Sequence, residues 1–112
     1  MKNLKVSNKT IKEAKNLIDI RTKEEWLETG ILPNSFCLSF IDEKGELNPN
    51  FVKILEENFD KKEPLNIICH SGNRSKWACE ILDRIGFETI NLDGGIGRAL
   101  MLGIHLVPKD LD

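Results

Sequence analysis

The feature that most constrains this chain is one abrupt boundary. Leu65-Asn66-Ile67-Ile68-Cys69 is a short, mostly apolar run, and it passes directly into the polar stretch His70-Ser71-Gly72-Asn73-Arg74-Ser75. A helix is expected next, from about Ser75 to Ile85. Ala78, Ile81, Leu82 and Ile85 form its apolar stripe, and Lys76, Glu80, Asp83 and Arg84 lie opposite. A strand that is apolar at nearly every position is covered on both faces, the signature of a parallel sheet. In open sheets of that kind the functional crevice lies at the C-terminal ends of the strands. Cys69 falls at such an end.

The rest of the chain repeats the alternation. Leu17-Ile18-Asp19-Ile20 reads as a strand. Thr22 and Glu25 have the spacing of a capping box, so a short helix carrying Trp26 and Leu27 begins there and ends at Gly30. Phe36-Cys37-Leu38-Ser39-Phe40 alternates with period two and reads as a strand, followed by a loop holding Gly45 and Pro49. Asn50 is placed to cap a helix through about Asn58, with Phe51, Val52, Ile54, Leu55 and Phe59 on one arc, and Pro64 closes the unit. Gly86 stops the helix after Cys69, and Thr89-Ile90-Asn91-Leu92 is another strand. Asp93-Gly94-Gly95 turns the chain, and a last short helix is expected from Ala99 to Leu102, ended by Gly103. The expected fold is an α/β three-layer sandwich, with a mostly parallel central sheet and helices on both faces. At 112 residues it is expected to be one domain, 1–112.

Composition removes several function classes. Net charge is −2, without the basic excess of a nucleic-acid binder. No apolar run approaches the roughly 18 residues that a membrane span requires. Met1 to Val6 carries charge but no apolar signal region, so no secretory leader is read. The three cysteines, Cys37, Cys69 and Cys79, are odd in number and irregularly spaced, with no Cys-x-x-Cys, and there are only two histidines. Neither a disulfide framework nor a zinc site is expected. The expected compartment is the reducing cytoplasm, where a free thiol persists.

The loop after Cys69 has the makings of an anion cradle. The first N–H groups of a helix have no acceptor within it, and the helix dipole adds positive charge there. A polar loop with a glycine can curl so that successive N–H groups point inward. A sulfur at the centre is favoured as the thiolate, which accepts those bonds. Arg74 is the fixed cation of the loop and suits an oxyanion on a substrate.

The sequence resembles the rhodanese-like sulfurtransferases in single-domain form, from about Leu17 to Ile104. Leu17-Ile18-Asp19-Ile20-Arg21 with Glu24-Glu25-Trp26 looks like the family's first block, Ile67 through Ser75 like its active loop, and Gly86-Phe87 with Asn91-Leu92-Asp93-Gly94-Gly95-Ile96 like its closing blocks. The resemblance implies that Cys69 is a nucleophile that carries a persulfide. It implies that His70, Ser71, Gly72, Asn73, Arg74 and Ser75 bind substrate, chiefly through backbone N–H groups. The implied partners are a small sulfane-sulfur donor, such as thiosulfate or a persulfide, and a thiol acceptor, with no metal or organic cofactor. Cys69 to Arg74 spans six residues, the sulfurtransferase length, whereas phosphatases of this fold have one residue more. The chain departs from the family in Gly30-Ile31-Leu32-Pro33, where a histidine is usual, in Gly97-Arg98-Ala99, where an aromatic often follows, and at His70, where many members have arginine. The rival readings are a phosphatase or arsenate reductase using the same thiolate, and a sulfur carrier or non-catalytic binding module.

Other residues have plainer readings. Cys79, at the edge of its helix stripe, is read as a packing residue rather than a second thiol, and Cys37 as structural. Trp26 and Trp77 are read as core, and His105 as solvated. The His70 side chain has either a direct role or none. Asp19 and Arg21 are read as an ion pair, positioning the loop or purely structural.

Overall fold

In the computed structural model, residues 1–110 are described. Five strands form one parallel sheet: β1 (Lys2–Lys5), β2 (Leu17–Asp19), β3 (Phe36–Cys37), β4 (Leu65–Ile68) and β5 (Thr89–Asp93), in the order β1-β5-β4-β2-β3. The helices are α1 (Asn8–Glu13), α2 (Lys23–Thr29), α3 (Phe51–Asn58), α4 (Asn73–Arg84) and α5 (Gly95–Met101). No helix among the described residues is long and apolar enough to cross a membrane.

The sheet has a core on each face. Ile18, Ile20, Leu65 and Ile67 pack with Phe51 and Leu55 of α3 and with Ala78 and Leu82 of α4. Leu17, Ile68 and Leu92 point the other way and pack with Ile96 and Ala99 of α5, with Ile11 of α1 at the margin. Adjacent residues of one strand thus supply opposite cores, which is why β2 and β4 are apolar at consecutive positions. This is the three-layer sandwich expected from the sequence, with all strands parallel.

The chain leaves β2 through α2 toward β3 at one edge, and leaves β4 through α4 toward β5 on the other side. β2 and β4 are nevertheless neighbours, with Asp19 opposite Ile68. Their connections diverge, so a crevice opens between the two C-terminal ends. Cys69 sits at its base.

Several elements differ from expectation. β1 and α1 were not anticipated. Every β1 residue is exposed, so the strand lacks the apolar alternation that reveals one. The Met1 ammonium just before it pairs with Asp83 at 3.0 Å. Helix α4 begins at Asn73, two residues before the expected start, because left-handed Gly72 at φ 105° serves as its N-cap. Its end follows the Schellman pattern: Gly86 N–H donates to the Asp83 carbonyl and Phe87 N–H to that of Leu82. Helix α5 starts at Gly95 rather than Ala99. Only Phe36 and Cys37 of the expected Phe36–Phe40 strand are ladder-paired. Asn50 occupies the N-cap of α3 but makes no side-chain cap bond; the Asn48 carboxamide accepts from the Asn50 N–H instead. Trp77, read as core, is 44% exposed, with its ring edge-on to Phe40 at 5.1 Å. Trp26 is buried as expected.

Candidate active site

Cys69 directly follows the central strand β4 and is almost wholly buried. Two backbone donors converge on it: Gly72 N–H at 3.1 Å and Ser75 N–H at 3.4 Å. The second belongs to the first turn of α4, where N–H groups have no helical acceptor. The thiol donates to Ser75 Oγ at 3.3 Å, and the Ser75 hydroxyl donates to Asn91 Oδ1 on β5. Of the residues read as substrate-binding, Gly72 and Ser75 are therefore on the sulfur. Ser71 and Asn73 are exposed on the rim.

N–H groups can point inward only if the carbonyls of the loop point outward and find donors. The start of α5 supplies them: Ile96 N–H donates to the Cys69 carbonyl at 2.9 Å and Gly97 N–H to that of His70 at 2.8 Å. This contact explains Gly95, read from sequence as part of a turn. A Cβ there would collide with the Cys69 and His70 carbonyl oxygens, and its φ is +58°. Gly72 is also confined, since a Cβ would stand 3.2 Å from both the Asp93 carboxylate and the Gly94 nitrogen.

Arg74 is half-buried and turned toward α2. Its two terminal nitrogens donate to the two Glu25 oxygens at 2.7 and 2.8 Å, a bidentate pair. Glu25 is also the capping-box carboxylate of α2, accepting from Thr22 N–H at 3.2 Å. Burial pushes the Glu25 carboxyl up, but the Arg74 and Thr22 bonds and the Arg74 charge outweigh it, and its pKa falls to about 2. The same pairing raises that of Arg74. The positive charge that the sequence offered to a substrate is thus already matched by a carboxylate.

Asp19 and Arg21 pair as read, both wholly buried, at 2.9 Å. Arg21 also donates to Thr29 Oγ1 at 2.8 Å and to the Gly30 carbonyl at 2.9 Å, fixing the end of α2 to the end of β2. The pair thereby holds the helix that carries Glu25. His70 is exposed, and its ring lies over Gly97. It borders a cavity of about 160 Å³ lined also by Arg21, Glu25, Glu28 and Thr29. A larger groove, about 750 Å³, lies at the opposite end of β2 around Leu17 and Leu32, remote from the sulfur.

The other thiols have no such surroundings. Cys79 lies on the buried face of α4, and burial pushes its pKa up to about 11. Burial, with the nearby Asp19 charge, also raises that of Cys37. All three cysteines are free. His105 is exposed as read. Among the described residues, no group of three or more histidine, cysteine or acidic side chains is placed to hold a metal ion.

Three contributors were not singled out from sequence. Asn91 is a polar residue between the apolar Ile90 and Leu92 of β5, and a buried polar side chain asks for a partner. Glu25 is read from sequence as a cap and as part of the first family-like block, but not as the partner of Arg74. The start of α5 was hidden by its glycines, which are poor helix formers.

The fold and this loop define a class: an α/β domain that holds one cysteine sulfur against two backbone donors at a helix start. The Rhodanese-like domain family model matches residues 4–98, and the chain belongs to that family. It is 35% identical over 80 residues to YtwF of Bacillus subtilis, provisionally named a sulfurtransferase, covering 71% of this chain and 68% of YtwF. It is 31% identical over 94 residues to Rhodanese-like domain-containing protein 17 of Arabidopsis thaliana, covering 80% of this chain and 60% of that one. Among solved structures, a rhodanese-like domain protein from Staphylococcus aureus superposes with a TM-score of 0.74 at 26% identity, covering 98% of this chain and all (100%) of that one. A rhodanese-related protein from Thermoplasma volcanium, at 23% identity and a TM-score of 0.72, shares the fold over 97% of this chain and 100% of its own.

Proposed function

We propose that this protein is a sulfurtransferase that works by double displacement through a persulfide on Cys69. The observation that carries the reading is the convergence of the Gly72 and Ser75 N–H groups on the Cys69 sulfur, within a six-residue loop from Cys69 to Arg74. In the first half-reaction a lone pair of the Cys69 thiolate attacks the outer sulfur of the donor. The donor's S–S bond breaks and its electron pair leaves with the remainder, sulfite from thiosulfate or a thiolate from a persulfide. In the second, an acceptor thiolate or cyanide attacks the outer sulfur of the enzyme persulfide, and the electron pair of that S–S bond returns to Cys69. Each half balances without a metal or an organic cofactor. The cradle stabilises negative charge wherever it lies along the two sulfurs, so it serves both halves.

The pairing of Arg74 with Glu25 gives that guanidinium a supporting role, holding the first turn of α4 against α2, while backbone N–H groups do the anion binding. The partners are a small sulfane-sulfur donor and a thiol acceptor, and the setting is the cytoplasm, where Cys69 stays reduced. Steady-state transfer assays with thiosulfate and an organic persulfide as donors, and cyanide or a thiol as acceptor, test the reading. Turnover with at least one pair, absent from Cys69→Ser, is expected. Turnover of an aryl phosphate in place of sulfur transfer would overturn it.

A further inference from the structure

Behind the sulfur runs a chain of side-chain hydrogen bonds that ends at the surface. The Cys69 thiol donates to Ser75 Oγ, the Ser75 hydroxyl to Asn91 Oδ1, and Asn91 Nδ2 to Asn3 Oδ1 at 3.0 Å. Asn91 Nδ2 also makes a long contact, 3.4 Å, with the Gly72 carbonyl. Ser75 is wholly buried and Asn91 is 2% exposed, whereas Asn3 stands on the exposed edge strand β1.

A serine hydroxyl has one proton. While Cys69 is a thiol, that proton lies toward Asn91 and a lone pair faces the sulfur. A thiolate needs the opposite, a donor. If the hydroxyl turned while the Asn91 oxygen stayed in place, two oxygens would face each other with no proton between them, in a site sealed from water. A carboxamide has an acceptor at one end and a donor at the other. A half-turn of the Asn91 amide brings Nδ2 to Ser75 and Oδ1 to Asn3. Asn3 is exposed and can turn its own amide to donate. All the bonds of the chain then run from the surface to the sulfur; the cost is that the Asn91 amide oxygen replaces its nitrogen beside the Gly72 carbonyl, which keeps the Lys76 N–H as a donor.

We propose that Asn91 is a positioning residue for the Cys69 nucleophile: its amide turns the Ser75 hydroxyl between accepting from the thiol and donating to the thiolate. The proposal rests on Cys69 being the nucleophile. Its test reads alkylation of that thiol, which needs no sulfur transfer, so the two ideas fail separately.

The experiment follows the rate of Cys69 alkylation by iodoacetamide against pH, with the modified residue assigned by peptide mapping and the fold checked by circular dichroism. Ionised Asn91→Asp offers acceptors only and holds the hydroxyl proton away from sulfur. It moves the midpoint of the profile up by about one pH unit, a tenfold loss of thiolate at a fixed pH below it. Asn91→Ala frees that proton for the sulfur and moves the midpoint down. Both shifts shrink by more than half when Ser75 is replaced by alanine, because only through-space effects remain. If the buried carboxylate prevents folding, Asn91→Ala with and without Ser75→Ala carries the test. Shifts of the same sign in the two Asn91 variants, or shifts undiminished without the Ser75 hydroxyl, overturn the proposal.

Discussion

What distinguishes Cys69 from the other two thiols is the direction of the dipoles around it. Gly72 and Ser75 aim N–H groups at its sulfur, whereas Cys79 is enclosed by apolar side chains of the core and its pKa is raised to about 11. Burial alone makes a thiol inert, and the two converging N–H groups are what supports the proposal that Cys69 is the nucleophile. Replacing Cys69 with serine changes little volume and removes the proposed nucleophile. Transfer is therefore expected to fall to the uncatalysed rate, with a melting temperature close to wild type. Cys79→Ala is expected to keep full turnover and to cost roughly 1 kcal/mol, the scale of a small core truncation. Loss of turnover in a folded Cys79→Ala protein would give that thiol a part in the reaction. The placement of Cys69 was legible in the sequence, because an apolar strand, a glycine-bearing polar loop and an amphipathic helix occur in succession. The partner of Arg74 was not. Loop residues show their type but not their direction, and Glu25 lies 49 residues away in sequence.

At the scale of elements, the site is held by contacts between helix starts. The Glu25–Arg74 pair joins the first turn of α2 to that of α4. Both side chains are over a quarter exposed, so the pair is worth less than a buried one. Glu25→Gln is expected to cost about 1–2 kcal/mol in a urea unfolding midpoint at neutral pH. The Glu25 pKa is lowered on folding, so its contribution is complete above about 4.5 and is lost as pH falls toward about 2. The difference between wild type and Glu25→Gln should therefore shrink as the unfolding series is moved from pH 6 to pH 3. An undiminished difference would show that the ionisation of Glu25 contributes nothing to the stability of the pair. The start of α5 is the stricter constraint. Gly95→Ala meets two backbone oxygens that cannot move without opening the cradle, and loss of both transfer activity and several degrees of melting temperature is expected. Two of the elements that escaped the sequence share one physical cause. β1 and the start of α5 are specified by pairing with β5 and with the loop carbonyls, not by apolar periodicity. The elements with periodicity of their own, β2, β4, β5, α3 and α4, were legible to within a few residues.

For the whole molecule, the parallel order β1-β5-β4-β2-β3 places the loop after the central strand between connections that leave in opposite directions. β2 and α2 bring Asp19, Arg21 and Glu25 to one side of the loop, and β5 and α5 bring Asn91 and Gly95 to the other. The proposed chemistry is thus a property of the assembled sheet, although its proposed nucleophile stands out within six consecutive residues. The central claim is that the assembled cradle stores sulfur on Cys69 as a stable anion. Its most direct test is the mass of the intact protein after incubation with a sulfane donor, without acceptor, followed by desalting and peptide mapping without reductant. The account predicts the added mass of one sulfur atom, located on Cys69 alone and removed by a thiol or cyanide. No retained sulfur on Cys69 with either thiosulfate or an organic persulfide, or sulfur retained equally on Cys37 or Cys79, would contradict it.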